Sequence, residues 1–370
     1  MKITEVKLYR ADLPLSIPFQ HSSSGLISVL QEVVAAIRTD GRVVGYGEVR
    51  GNCTYVTGDT PERIVAVASF LASNLIGKEL EDFAALIDSM NHSMVGNSGA
   101  KALLDIALHD AYGRAFEIPV FTMLGGRTRS LLPTDHSVPF CSPEDAAAQT
   151  KAAIDEGYAL IKVRVGNRLA YDEARLSAVR DTIDRESTGK DVALAADANG
   201  AWSPKQALQA LLRWDRYHLE FIEQPVGAHD IEGLRFVREN IPIPVMADES
   251  AKGPKEIFNL IERRAVDMFH FKLIKAGGFE ALRQMMAISR AAEIPYMIGQ
   301  MDEGMLATAA AVHAAAASFA RFFEVHGHKR VASQPFYGLQ LQRGAMVVPQ
   351  GPGLGIVVDE SAMQCVKVIN

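Results

Sequence analysis

From about residue 132 the chain repeats one unit: a short apolar run closed by a polar or charged side chain, then a helix-forming stretch. Candidate strands end near Ser137, Arg164, Asp197, Glu223, Asp248, Lys272, Ile298 and Val325. Helical segments lie between them, such as Pro143 to Glu156, Ala170 to Arg185, Pro204 to Arg213 and Pro254 to Arg263. Strands alternating with helices imply parallel βαβ units, because a tight turn cannot join parallel neighbours. Eight strand signals at this spacing favour a closed, TIM-like (β/α)7β barrel over an open doubly wound sheet. No Gly-x-Gly-x-x-Gly follows a strand, so nothing supports a dinucleotide site. Gly277-Gly278, after the sixth strand, reads as a tight turn, with an anion cradle as the alternative.

The 370 residues are about right for a barrel plus a smaller unit, and 48% of them are hydrophobic, enough for a large core. Residues 1–128 read as an α+β unit. Residues 2–10 and 29–38 are strand-like, and Thr39-Asp40-Gly41-Arg42 is a hairpin signal before Val43–Glu48. Three helical stretches follow, the first opened by Thr60-Pro61-Glu62. The barrel occupies residues 129–332, and the tail, 333–370, returns to short strands that rejoin the first unit. The polar stretches His21–Gly25 and Arg50–Gly58 read as surface loops or as lids over a pocket.

The net charge of −6, without any lysine- or arginine-rich run, argues against nucleic acid as a partner. The three cysteines, Cys53, Cys141 and Cys365, imply no disulfide framework and fit a reducing cytoplasm. The N-terminus has no signal-peptide core, and the alanine-rich stretch from Met305 to Ala320 is too short and mild to span a bilayer.

In parallel barrels the active site sits at the C-terminal ends of the strands. Asp197, Glu223 and Asp248 close three consecutive apolar runs, roughly 25 residues apart, which places three carboxylates at one height. Without a cation they would repel one another and some would protonate. A hard divalent ion removes the conflict, and all-oxygen ligation suits Mg²⁺ better than zinc. On the second strand, period two puts Lys162 and Arg164 on one face; on the sixth, it puts Lys272 inward with His270. The second and sixth strands lie opposite one another across the barrel. Cationic groups thus flank the metal from both sides. The constellation suits removal of a proton from the carbon next to a carboxylate. The metal would stabilise the resulting enediolate, and a lysine of lowered pKa would take the proton. Reprotonation from the other face gives racemisation or epimerisation; loss of a β-substituent gives dehydration; reversal of an addition gives cycloisomerisation.

These residues resemble the enolase superfamily, and specifically its muconate lactonizing enzyme subgroup. The resemblance rests on Asp197-Ala198-Asn199, Glu223-Gln224-Pro225, Ala247-Asp248-Glu249-Ser250 and Lys272 on the sixth strand. Lys101–Gly113, Leu124-Gly125-Gly126-Arg127 and Met301-Asp302-Glu303-Gly304 extend it along the chain. It implies a capping domain built from both chain ends, with loops closing over the substrate, and a homo-oligomer, dimer to octamer. The family pattern on the second strand is Lys-x-Lys, with the second lysine as acid/base; here that position is Arg164, and arginine stays protonated. Either Arg164, assisted by Lys162, still exchanges protons and the enzyme is a racemase or epimerase, or Lys272 alone moves protons and the outcome is elimination or cycloisomerisation. A silent carboxylate-binding barrel is the reading from another class.

Specificity is expected from the cap loops and last strands. Tyr55 and Phe19 are candidates for an apolar or cation-stacking wall. Asn199, Asp302 and Glu303 are further substrate-binding candidates, the last two for an ammonium or hydroxyl group. The loop Gly51–Tyr55 resembles that of the family's betaine epimerases, which implies a small carboxylate such as an amino-acid, hydroxyproline or betaine derivative. His326-Gly327-His328-Lys329 reads as a solvated loop rather than a chelating one.

Overall fold

The computed structural model describes residues 1–20, 25–187 and 191–370, so most of the polar loop at His21–Gly25 lies outside the described residues. Strands Ile3–Phe19, Ile27–Thr39 and Val44–Arg50 form an antiparallel meander. The last strand, Gln364–Ile369, joins its edge with Ile369 opposite Val6. Both chain ends therefore build one cap sheet. Helix Ser98–Ala115 lies on this sheet. Its close approach needs glycine on the strand beneath: a Cβ at Gly47 would fall 2.1 Å from Leu103 O, and one at Gly45 2.2 Å from Ala111 N.

The barrel strands are His136–Val138, Leu160–Arg164, Ala193–Asp197, Leu219–Glu223, Val245–Ala247, Met268–Lys272, Tyr296–Gly299 and Phe322–Glu324, paired in sequence order and all parallel. The ring is closed by the Asp135 N–H, which donates to Phe323 O at 3.0 Å. Helices make the seven crossovers, and the eighth strand is followed only by a short 3-10 turn, Gly327–Arg330. The alanine-rich helix, Met305–Ala316, is buried beyond its first residue, as a crossover helix roofed by the cap must be. Among the described residues no helix is long and apolar enough to cross a membrane.

Gly277-Gly278 is a tight turn. A Cβ at Gly278 would meet the Asp105 carboxyl at 2.3 Å, and Asp105 Oδ1 instead accepts from Phe279 N–H at 2.7 Å. The cap helix thus caps a barrel helix.

The inward-facing rows explain the height of the site. Leu160, Ala195, Phe221, Met246, Met268 and Met297 form an apolar plug inside the barrel. Two residues further along each strand the same face presents Lys162, Asp197, Glu223, Asp248 and His270. The plug is a dry floor, and the next layer is almost wholly ionisable.

Candidate active site

Glu223 and Asp197 stand opposite one another in the register of the third and fourth strands. Glu223, Asp248 and His270 bring ligand atoms within 4.8 Å of one another, and all three are buried. Asp197 belongs to the same layer, but its carboxylate is turned to Arg164, whose Nη1 donates to Oδ2. Asp197 Oδ1 also accepts from the Asn199 backbone at 2.8 Å. His270 Nδ1 lies 2.7 Å from Glu223 Oε1 and fixes that carboxylate from the sixth strand.

Two cationic arms reach this layer. On the second strand, Lys162 Nζ is 2.9 Å from Glu223 Oε2 and 2.8 Å from Glu324 Oε1. On the sixth, Lys272 Nζ is 2.8 Å from Asp248 Oδ2. Lys275, one helical turn on, donates to Asp248 Oδ1 and to two backbone carbonyls, Asp248 O at 2.5 Å and His270 O at 3.0 Å. Glu324 sits between the arms, 3.7 Å from Arg164 and 3.9 Å from Lys272.

The electrostatics show crowded carboxylates. Burial and the neighbouring Glu223 push Asp197 up to about 7, against the pull of Arg164. Burial and Asp248 push Glu249 up to about 8. Burial opposes ionisation of Glu223 and Asp248 too, but Lys162 with His270, and Lys272 with Lys275, hold them below the usual carboxylate range. Burial alone would lower Lys272; Asp248, Glu324 and Glu223 hold it well above the ordinary lysine value. Glu249 Oε2 and Glu324 Oε2 are buried without a hydrogen-bond partner among the described residues. The layer therefore holds more negative charge than its lysines and arginine satisfy. Asp197, Glu223 and Asp248 offer hard oxygen donors, a set that fits a divalent ion such as Mg²⁺.

A cavity opens above this layer. Tyr55, Arg164, Asn199, Asp248, Lys272 and Asp302 line it, so the sequence candidates converge from the cap loop and five strand ends. Lys162, Asp197 and Glu223 lie behind it, fully buried. Two candidates fall elsewhere. Glu303 is turned away from the cavity, buried against the cap beside Arg50, with Glu48 and Glu32 sharing its field. Phe19 stands outside the cavity lining, its ring 6.0 Å from the Arg50 guanidinium and 5.3 Å from that of Arg330. The segment His326–Lys329 is not a solvated loop at its start. His326 is buried in the cavity wall, its Nδ1 3.0 Å from Thr134 Oγ1, and burial holds its imidazole down to about 3.

Sequence reasoning missed Glu324, Lys275 and Arg330. Glu324 carried the usable signal: it closes the apolar run Phe322-Phe323 as the other acids close theirs. A second, wider cleft of about 990 Å³ lies beside the cap helices, lined by Arg63, Lys101, Lys252 and Lys275. It meets the first only at Val56 and contains none of the crowded carboxylates.

Two family descriptions match this chain. "Mandelate racemase / muconate lactonizing enzyme, N-terminal domain" covers residues 3–125, and "Enolase C-terminal domain-like" covers 145–362. The L-Ala-D/L-Glu epimerase of Clostridium acetobutylicum is 37% identical over 86% of this chain and 87% of its own. The solved N-succinyl Arg/Lys racemase of Bacillus cereus superposes with a TM-score of 0.94 at 29% identity, covering 100% of both chains. The Cytophaga hutchinsonii dipeptide epimerase, solved with Mg and D-Ala-L-Val, gives a TM-score of 0.92 at 28% identity, again over 100% of both chains.

Proposed function

Because this chain belongs to the mandelate racemase/muconate lactonizing enzyme family of the enolase superfamily, and is an isomerase of that superfamily, we propose that it inverts the α-carbon of a small amino-acid-derived carboxylate. The reading is carried by one observation. Lys272 and the Lys162–Arg164 pair approach a single carboxylate layer from opposite strands, with Glu324 in contact range of all three.

Asp197, Glu223 and Asp248 are the residues that would hold Mg²⁺. When bound, the ion supplies a Lewis acid toward the substrate carboxylate and so makes the α-proton removable. Lys272 takes that proton on one face of the α-carbon. To do so it must be neutral, and its pairing with Asp248 is what keeps it charged in the structure described here. Arg164, at the cavity wall with Lys162 behind it, returns a proton to the opposite face. One C–H bond breaks, another forms, and configuration inverts. His270 orients Glu223, and Asn199 orients Asp197 while donating to Glu249 at 3.2 Å. The names of the relatives favour the amino-acid branch of the expected substrates over betaines.

One observation favours a second reading. Arg164 is held by Asp197 and Asn199 and, although burial opposes it, Asp197 and Glu324 keep its guanidinium above the ordinary arginine value. A guanidinium so held is a poor proton donor, and Lys272 would then work alone, as in a syn elimination or cycloisomerisation. Incubation with Mg²⁺ and a panel of N-acyl amino acids and dipeptides in D₂O separates the two. Deuterium entry with inversion supports the isomerisation of the α-carbon. Deuterium entry with retention, or elimination, replaces it with single-base chemistry.

A further inference from the structure

We propose that Arg330 is a specificity residue that selects substrates carrying a second, distal anionic group, a carboxylate above all. The proposal rests on the α-carbon isomerase reading and deepens it.

Arg330 ends the short turn after the eighth strand and lines the cavity. Its guanidinium is held from two directions: the Phe19 ring lies 5.3 Å from it, and Nη2 donates to Ser137 O at 3.1 Å. The backbone just beyond it is stitched to the cap, with Ala332 N–H donating to Pro14 O at 2.8 Å. A stacked, tethered guanidinium loses little freedom when it binds, and its planar fork matches a carboxylate bidentately. Nη1 makes no hydrogen bond among the described residues. Among the described residues the one ion-pair partner of Arg330 is Asp302, whose Oδ1 is 3.7 Å from Nε, beyond hydrogen-bond reach. Asp302 thus balances the charge without occupying the fork. The other cations of the cavity, Arg164 and Lys272, stand beside Asp197 and Asp248 and are committed to the α-carbon in the proposed function. Among the described cations that line the cavity, Arg330 is the one left to read a ligand's far end.

The test pairs turnover with binding. L-Ala-L-Glu, L-Ala-L-Gln and L-Ala-L-Lys are compared by α-deuterium incorporation in the Mg²⁺-loaded wild type, Arg330→Met and Arg330→Lys. The expected result is a preference for the glutamate dipeptide of about tenfold or more, the scale of a charge-assisted hydrogen bond. Arg330→Met should remove it through KM for that dipeptide alone, with kcat kept, and Arg330→Lys should recover part of it. Equal or better use of the lysine or glutamine dipeptide by the wild type overturns the assignment, as does an equal loss on all three in Arg330→Met. Calorimetric titration with succinate, glutarate and adipate against butyrate works without turnover. If neither these dipeptides nor the N-acyl amino acids of the wider panel exchange their α-proton, the α-carbon isomerase reading fails. The Arg330 assignment then stands only if a dicarboxylate binds the wild type more tightly than butyrate and loses that advantage in Arg330→Met; equal binding overturns it.

Discussion

Lys272 Nζ lies 2.8 Å from Asp248 Oδ2, across the gap between the sixth strand and the end of the fifth. The proposed base and a proposed metal ligand thus neutralise each other in the structure described here. Drawing Asp248 toward a cation would release Lys272 from its counter-charge and lower its proton affinity. Lys272→Ala is therefore expected to abolish α-proton exchange, by at least the roughly 10²- to 10⁴-fold that a general base contributes. Proton NMR in D₂O reads this directly. Retained exchange would remove Lys272 from the mechanism.

Asp248 also carries a stability argument. Its carboxylate answers two buried ammonium groups, Lys272 and Lys275. Asp248→Asn removes the nearest carboxylate of both from a buried layer. Breaking a buried pair by removing one partner costs about 3–5 kcal/mol. Urea unfolding of the metal-free protein should show a loss of that order, and calorimetry with Mg²⁺ should show weakened binding. A variant as stable as wild type would mean that water reaches the lysines.

The strand-end residues were legible because a strand has a strict period. Once Leu160, Phe221 and Met246 are read as plug residues, Lys162, Glu223 and Asp248 must share their face. The loops have no such period. Asp302 and Glu303 are adjacent, yet one lines the cavity and the other is buried against the cap beside Arg50. The backbone path after the seventh strand decides between them, and no pattern in the residues reports it. Phe19 was read as a wall of the pocket; it backs Arg330, a residue more than 300 positions away that only the folded chain brings near. The turning of Asp197 to Arg164 is likewise a choice among partners, made by crowding rather than by position.

The cap–barrel junction yields a pH prediction away from the metal layer. Burial raises Glu48 to about 8, although the backbone N–H groups of Ala307, Gly304 and Leu306 pull it down. A carboxyl whose folded pKa exceeds its unfolded one binds more protons when folded, so stability falls as pH rises from about 4.5 to about 8. Buried histidines act oppositely, because burial lowers His313 to about 4 and His326 to about 3, but their contribution is complete above the ordinary histidine value. Between about pH 7 and 8 the slope is shared with Asp197, Glu249 and Glu303, so the Glu48 part is read as a difference between wild type and a Glu48 variant. Glu48→Gln keeps an acceptor for Ala307 N–H and removes the titration. Relative to wild type, its stability should improve progressively from pH 5 to 8 in chemical denaturation, and parallel curves would show that Glu48 is not strained by ionisation.

Arg164 decides whether protons move on one face or two. Its guanidinium lies between Asp197, Asn199 and Glu324, so Arg164→Met removes both a cation and the partner that turns Asp197 aside. If Arg164 returns the proton opposite Lys272, the variant should still exchange the α-proton of the enantiomer that faces Lys272, while inversion falls by about 10²-fold or more. Arg164→Lys keeps a cation beside Asp197 and should preserve inversion. Chiral chromatography gives the inversion rate and NMR gives the exchange rate on the same samples. Exchange and inversion falling together in Arg164→Met would mean that Arg164 acts on the substrate or on Asp197 before any proton moves, and Lys272 would then be left as the single base.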